Sequence, residues 1–186
     1  MQSNAGSRAF QNARQQKKLR KQAEEMLPIA FAAYRQGRHA DTQTLCRRIL
    51  QDLPDHFDGL HLLAVSQIDC ARFEEAAQTL ERAIAIDPRS ADAHSNLGFA
   101  FFKLRRYAEA RRVQEKALAL KPNFPTAQTN LGNTLTWLGL HEQAIEAHER
   151  AIRMKPDYAD AYCNRGTTEL FLMQYDRAVQ SFDRTA

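Results

Sequence analysis

Four prolines recur at one constant interval in this chain of 186 residues, at every thirty-fourth position: Pro54, Pro88, Pro122 and Pro156. Other residue types keep the same register. Ten positions after each proline stands a small residue, and 22 positions after each stands an alanine: Ala64, Gly98, Gly132 and Gly166, then Ala76, Ala110, Ala144 and Ala178. Chance does not hold several residue types in one register over four units, so the chain is built from repeats of about 34 residues.

Each repeat has the apolar spacing of two amphipathic helices. In the unit after Pro88 we predict a first helix over DAHSNLGFAFFKL and a second over YAEARRVQEKALAL. Small residues such as Gly98 and Ala110 let the two helices pack closely, and the next proline ends the second helix because it has no amide hydrogen to donate. One pair cannot bury its apolar face alone, so neighbouring pairs are expected to stack.

A helix–turn–helix unit of this length with the LG…Y…A…A…P pattern resembles the tetratricopeptide repeat. The resemblance implies an all-α fold, a right-handed superhelical solenoid of antiparallel helix pairs. We expect a basic polar segment, disordered or partly helical, over residues 1–22; a degenerate first repeat over 23–56; repeats over 57–90, 91–124 and 125–158; and a truncated fifth repeat over 159–186.

The first and fifth repeats depart from the pattern. Pro28 falls where the first helix is expected, so it either kinks that helix or stands in its first turn. In the fifth repeat Arg165 and Glu169 replace core residues, and their spacing of four allows them to pair. Because Val179 and Phe182 would be left partly uncovered there, we expect the chain to be a fragment that associates with a second copy through its uncapped last helix.

The resemblance places the first helices on the concave surface. Eight positions after three of the prolines stand Asn96, Asn130 and Asn164, whose carboxamides could each bond the backbone of an extended peptide. The alternative is that these asparagines only join neighbouring helices. We expect the same face to carry Asn133, Phe99, Phe102, Trp137, Phe171, Asp92 and Asp160. The aromatic residues either grip a partner or pack between helices, and the aspartates also suit helix starts.

The sequence contains no recognisable catalytic or metal-binding motif. The six histidines are not spaced as paired metal ligands. The cysteines are odd in number and form no CxxC motif: Cys46, Cys70 and Cys163. We therefore predict no catalytic residues, no metal and no cofactor, and a cytoplasmic location. No apolar run is long enough to span a membrane. Residues 1–22 hold six cations and no acid, whereas the rest of the chain carries 20 cations and 22 acids. Because no aromatic residues are interleaved with the cations of this tail, we do not expect it to bind nucleic acid.

Two functions are compatible with these features. The first is a scaffold that binds a protein or an extended peptide through the asparagine ladder. The second follows from a further resemblance: DAHSNLGFAF, TAQTNLGNTL and DAYCNRGTTEL are similar to the repeats of protein O-linked N-acetylglucosamine transferases and their SPINDLY-like relatives. That resemblance implies a substrate-recruiting array whose glycosyltransferase domain would lie outside this chain. Whether the parent protein is an enzyme is left open by the sequence.

Overall fold

The computed structural model describes the backbone of residues 3–185, and the side chains from residue 14 onward except that of residue 16. These residues form ten α-helices and no strand. The helices are α1 Ser3–Arg35, α2 His39–Asp52, α3 Phe57–Asp69, α4 Phe73–Ile86, α5 Ala91–Lys103, α6 Tyr107–Leu120, α7 Pro125–Trp137, α8 His141–Met154, α9 Ala159–Phe171 and α10 Tyr175–Asp183. The predicted all-α class is confirmed, and α5 and α6 coincide with the two helices predicted after Pro88.

The chain forms two compact units, Met1–Ile86 with α1 to α4 and Asp87–Ala186 with α5 to α10. In the first unit each helix packs on the next, and α1 also contacts α3. In the second unit the tightest packing joins α5 to α6, α7 to α8 and α9 to α10, and the first helices of successive pairs also touch, α5 with α7 and α7 with α9. The stacked helix pairs thus recur within each unit.

The first helix is longer than the sequence pattern indicated. Helix α1 runs without a break across the boundary expected between residues 22 and 23, so the basic segment and the first repeat share one helix. Pro28 lies in its interior, and the alternative that placed this proline in the first turn is wrong. Ala30 and Ala33, on the side of α1 that packs into the unit, are fully or almost fully buried.

Each helix pair is joined by the same left-handed turn. One residue in the turn, at the same repeat position in all five pairs, has a positive φ between 56° and 74°. These residues are spaced 34 apart: Gly37, Ala71, Arg105, Gly139 and Met173. The next residue donates its amide to a carbonyl five positions back, as Arg72 does to Gln67 at 2.8 Å and Leu140 does to Leu135 at 2.9 Å. This bonding ends a helix with one left-handed residue, a position that favours glycine.

Close approach of the paired helices depends on the small residue near the middle of each first helix. A Cβ on Gly98 would lie 2.4 Å from Cγ of Gln114, and one on Gly132 would lie 2.4 Å from Cε1 of His148. Both contacts join a first helix to the second helix of its own pair. The glycines therefore make room for the side chain opposite. The equivalent positions in the first unit hold Ala64 and Leu80, which are both fully buried.

The fifth pair contains a buried polar cluster. Nε of Arg165 lies 3.5 Å from a carboxylate oxygen of Glu169, which confirms the predicted pair. Ser181 of α10 is fully buried, donates its hydroxyl to Glu169 at 2.6 Å and accepts a bond from Arg165 at 3.1 Å. Because every member has a partner, hydrogen bonds between side chains reinforce the packing of α9 against α10.

Candidate functional site

The second unit has a distinguishable inner side. Its first helices α5, α7 and α9 contact one another in sequence, whereas among the described residues α6 does not contact α8 and α8 does not contact α10. The first helices are therefore closer together than the second helices. A stack of pairs with this property curves toward its first helices, so their outward positions line a concave face, here called the inner face.

The helical geometry places the asparagines on this face. Gly132 of α7 points at His148 of α8, and a residue two positions away in an α-helix is rotated by about 200°. Asn130 therefore points away from α8. The same relation holds for Asn164 and Gly166, which faces Phe182 of α10, and for Asn96 and Gly98. All three asparagines are half-buried.

The carboxamides of the second unit's later pairs are available to a ligand. Within the described residues the side chains of Asn130, Asn133 and Asn164 make no hydrogen bond to the protein. Their backbone carbonyls, in contrast, are used: Thr134 donates its hydroxyl to the carbonyl of Asn130 at 3.0 Å, and Thr168 donates to that of Asn164 at 2.9 Å. The geometry of Asn130 and Asn164 therefore does not support the alternative that these asparagines only join neighbouring helices.

A buried hydroxyl pair fixes α7 against α9 beneath those asparagines. The hydroxyls of Thr136 and Thr168 lie 2.8 Å apart, and both side chains are buried. Each hydroxyl also lies within hydrogen-bonding distance of a carbonyl of its own helix, and since each has one hydrogen to donate, two of these three contacts are hydrogen bonds at any time. This contact joins α7 to α9, the two helices that carry Asn130 and Asn164.

Five rings form a continuous row beside the asparagines, here called the aromatic strip: Phe102, Tyr107, Trp137, Phe171 and His141. Successive ring centroids lie 5.7 Å, 5.9 Å, 6.3 Å and 5.6 Å apart in that order. Trp137 stacks on Tyr107 and meets Phe171 edge-on. Although these contacts join neighbouring helix pairs, Trp137 remains 58% exposed and Phe171 54% exposed. Both roles considered for the aromatic residues are thus compatible with their positions.

Two members of the strip were not predicted from the sequence. Tyr107 and His141 share one position relative to the preceding proline, and each is the first residue of its helix, α6 or α8. A ring recurs at this position, as Phe73 and Tyr175 also show. The signal could have been used, because a ring at the start of a second helix lies beside the end of the preceding first helix.

The remaining predicted residues have local partners or none. Phe99 lies under the ammonium of Lys103, 5.2 Å from its ring centroid. Asp92, in the first turn of α5, pairs with Lys121 at 3.6 Å, and both side chains are exposed. Asp160 occupies the first turn of α9 and is exposed, with no ion pair to another described residue.

The titratable groups in the core do not form a reactive centre. His148 is fully buried, both of its ring nitrogens lack a partner, and burial, assisted by the charge of Arg165, lowers its pKa to about 4. Burial raises the pKa of the Cys46 thiol to about 12. A neutral imidazole and a protonated thiol inside helix pairs serve packing rather than proton transfer.

Family comparisons agree with this architecture. A family model described as "TPR repeat" matches residues 69–105 and 133–168, and one described as "Tetratricopeptide repeat" matches residues 91–124. The chain is a tetratricopeptide-repeat protein. A comparison with the sequences of curated proteins found no match.

Solved structures similar to this tetratricopeptide-repeat chain cover most of its length. A crystal structure of MamA is 26% identical with a TM-score of 0.74, over 84% of this chain and 92% of that one. PilF of Pseudomonas aeruginosa is 20% identical with a TM-score of 0.78, over 90% and 77%. YrrB, described as a TPR protein with an unusual peptide-binding site, is 18% identical with a TM-score of 0.71, over 90% of each chain.

Two further features concern metal ligands and membrane-spanning helices. No group of three or more potential metal ligands occurs in the part of the chain that the structure describes. In that same part, no helix combines the length and the apolar character that crossing a bilayer requires.

Proposed function

We propose that this protein is a scaffold that holds an extended polypeptide against the inner face of its helix pairs. The observation that carries the proposal is the pair of half-buried carboxamides of Asn130 and Asn164, one repeat apart, without a hydrogen bond to any described residue. A carboxamide offers one acceptor and two donor hydrogens, which suits the amide and carbonyl groups of a peptide backbone. Asn96 and Asn133 extend the same row.

The expected affinity is low. If Asn130 and Asn164 each make two bonds worth about 1 kcal/mol net, together they contribute about 4 kcal/mol, whereas association costs about 4–15 kcal/mol. The ladder therefore needs additional contacts, which the aromatic strip and Asn133 can supply. Recognition of backbone rather than side chains makes the scaffold tolerant of many partner sequences.

The second function, recruitment of substrates for an O-linked N-acetylglucosamine transferase or a SPINDLY-like relative, stays a prediction from the resemblance of the repeats. The matches described above lend it no support, and no feature of the described residues favours it over a scaffold without an enzyme. Likewise, the site residues Phe99, Phe102, Asp92 and Asp160 remain proposed ligand contacts.

Capture of a permanently unfolded polypeptide that carries no excess of acids, reduced and carbamidomethylated ribonuclease A, tests the proposal. We expect the parent protein to retain it and the variant Asn130→Ala/Asn164→Ala to bind up to about a thousandfold more weakly, since four lost bonds of about 1 kcal/mol each amount to about 4 kcal/mol. Alanine favours helix, so the variant should fold as well as the parent, which circular dichroism verifies. Asn123→Ala, in the exposed turn before α7, is the matched control and should bind normally. Equal binding by parent and double variant would remove the ladder's role.

A further inference from the structure

Several rings of the second unit already carry a cation from the chain itself, including the buried ring of Phe101. A lysine or arginine lies over the rings of Phe99, Phe101, Phe124, Tyr158 and Tyr162, at 4.3–5.4 Å from the centroid. Among the described residues, no cation lies over Trp137, Phe171 or Tyr175, which are 58%, 54% and 62% exposed. The most exposed rings of the unit are therefore ones that no cation of the chain covers, although Trp137 stacks one face on Tyr107 and Phe171 stacks one face on His141.

The exposed charges on the helices next to Phe171 are mainly negative, whereas the segment before Tyr107, which stacks on Trp137, carries the exposed Lys103 and Arg105. Helix α7 has no charged residue. Along α9 and the first turns of α8 and α10 the exposed charged side chains are Glu142, Asp160, Asp176 and Arg177. None of the three acids forms an ion pair with another described residue, whereas Arg177 donates a hydrogen bond to Gln174 at 3.2 Å. Glu142 directly follows His141, whose ring stacks on Phe171 at 5.6 Å.

We propose that the end of the aromatic strip formed by Trp137 and Phe171 binds a lysine or arginine side chain of the polypeptide on the inner face. This inference rests on the proposed function, since the ladder holds the backbone while the rings take one side chain. The open ring faces attract a cation, tryptophan most strongly, and Glu142 and Asp176 add charge complementarity. The partner is thus a basic segment, and an acidic segment is repelled.

A second copy of this chain offers a competing cation source. Residues 1–22 contain six cations and no acid, so the basic segment of one molecule could reach the strip of another. The proposal commits to an external basic polypeptide, and the experiment below separates the two sources.

The test uses two synthetic peptides, one of repeated Gly-Arg-Ser and one in which citrulline replaces every arginine. Citrulline keeps the length and the planar head of arginine, but its ureido group is uncharged and has an acceptor oxygen in place of one donor amino group. Calorimetry should give about tenfold tighter binding of the arginine peptide to the parent protein, the size expected of a partly desolvated cation on a ring. Trp137 is the chain's one tryptophan, so its emission should change on binding and report directly on this position.

Variants at Trp137 separate the ring from ordinary apolar contact. Trp137→Leu keeps an apolar side chain but removes the ring face, and it should bind the two peptides within about twofold of each other. Trp137→Phe restores a weaker ring and should recover part of the preference. Glu142→Gln/Asp176→Asn should lower the preference in low salt while the Trp137 emission change persists.

Three results would overturn the inference: equal binding of both peptides by the parent, an unchanged preference in Trp137→Leu, or emission that shifts with protein concentration alone. In the last case, replacing the six cations of residues 1–22 with glutamine abolishes the shift and identifies the second copy as the occupant. These failures are distinct from failure of the scaffold. If the citrulline peptide binds the parent and not Asn130→Ala/Asn164→Ala, the ladder operates without a cation site.

Discussion

At the scale of single residues, the most unusual group is the imidazole of His148, which lies fully buried opposite Gly132 without a hydrogen bond. The equivalent position holds Cys46, Leu80, Gln114 or Phe182 in the other repeats, so the imidazole fills space that a thiol, an apolar or an amide side chain fills elsewhere. Gln114 is likewise buried without partners for its amide atoms. The middle pairs of the second unit therefore contain buried polar groups that contribute volume but no bond.

His148 should make the stability of the protein sensitive to mild acid. Its pKa is about 4 in the folded protein against 6.5 for the free side chain, so the unfolded chain binds a proton first as the pH falls. The contribution of this group to stability is complete above pH 6.5 and is lost progressively down to about pH 4, by roughly 3 kcal/mol in total. Urea denaturation of the parent and of His148→Gln measures the effect.

The glutamine variant reproduces the side chain found at the equivalent position 114 and cannot titrate. Its free energy of unfolding should therefore fall less than that of the parent between pH 7 and pH 4, by roughly those 3 kcal/mol. Carboxylates titrate in both proteins and cancel in the comparison. Parallel pH profiles for the two proteins would show that the buried imidazole is protonated without cost.

At the scale of elements, the turn between paired helices recurs with one backbone geometry but several residue types. Glycine occupies the left-handed position at Gly37 and Gly139, whereas Ala71, Arg105 and Met173 occupy it in the other pairs. A side chain with a Cβ is strained in this conformation by about 1 kcal/mol. Three of the five helix pairs therefore carry a local cost that packing along the rest of the pair offsets.

Reciprocal substitutions test that cost. Ala71→Gly should raise the free energy of unfolding by up to about 1 kcal/mol, and Gly139→Ala should lower it by a similar amount. A Cβ at Gly139 would meet no atom within 4 Å, so any loss in that variant comes from the backbone conformation and not from a clash. Urea midpoints of the two variants against the parent provide the measurement. A change of the same sign in both would contradict the explanation.

At the scale of the whole molecule, the exposed apolar side chains concentrate in the last helix pair. Met173 is 74% exposed and Val179 is 58% exposed, and Leu170 is also exposed. In the preceding pair the residues equivalent to Val179 and Leu170 are the half-buried Ile145 and the buried Thr136, which lie in the pair that packs against α9. An apolar face of this kind favours association with another surface.

We predict that the protein associates with itself through this face at high concentration. Val179→Lys places a charge in the middle of the face and should shift the oligomer toward monomer in sedimentation or light-scattering measurements. Gln180→Lys adds the same charge at the adjacent exposed position and serves as the control. A parent protein that stays monomeric throughout the concentration range would refute the prediction.

The aromatic strip shows how far reasoning from the residues could reach. Trp137 and Phe171 could be assigned to the inner face from the sequence because both stand at the same position relative to the preceding proline. Whether these rings are covered could not be decided in that way, since Trp137 meets Phe171 only when α7 packs against α9 of the next repeat. The packing of α6 on α7 and of α8 on α9 brings Tyr107 and His141 into the strip.

By itself, the sequence determined the repeat length, the paired helices and the tetratricopeptide fold, because these follow from local helix patterns that recur at one spacing and reinforce each other. Only the tertiary structure decided which side chains lack partners. That property belongs to atoms from different helices, as with the buried imidazole of His148, the unbonded carboxamides of Asn130 and Asn164, and the open ring of Trp137. Burial and hydrogen bonding depend on distances across the stack, and a one-dimensional pattern does not contain them.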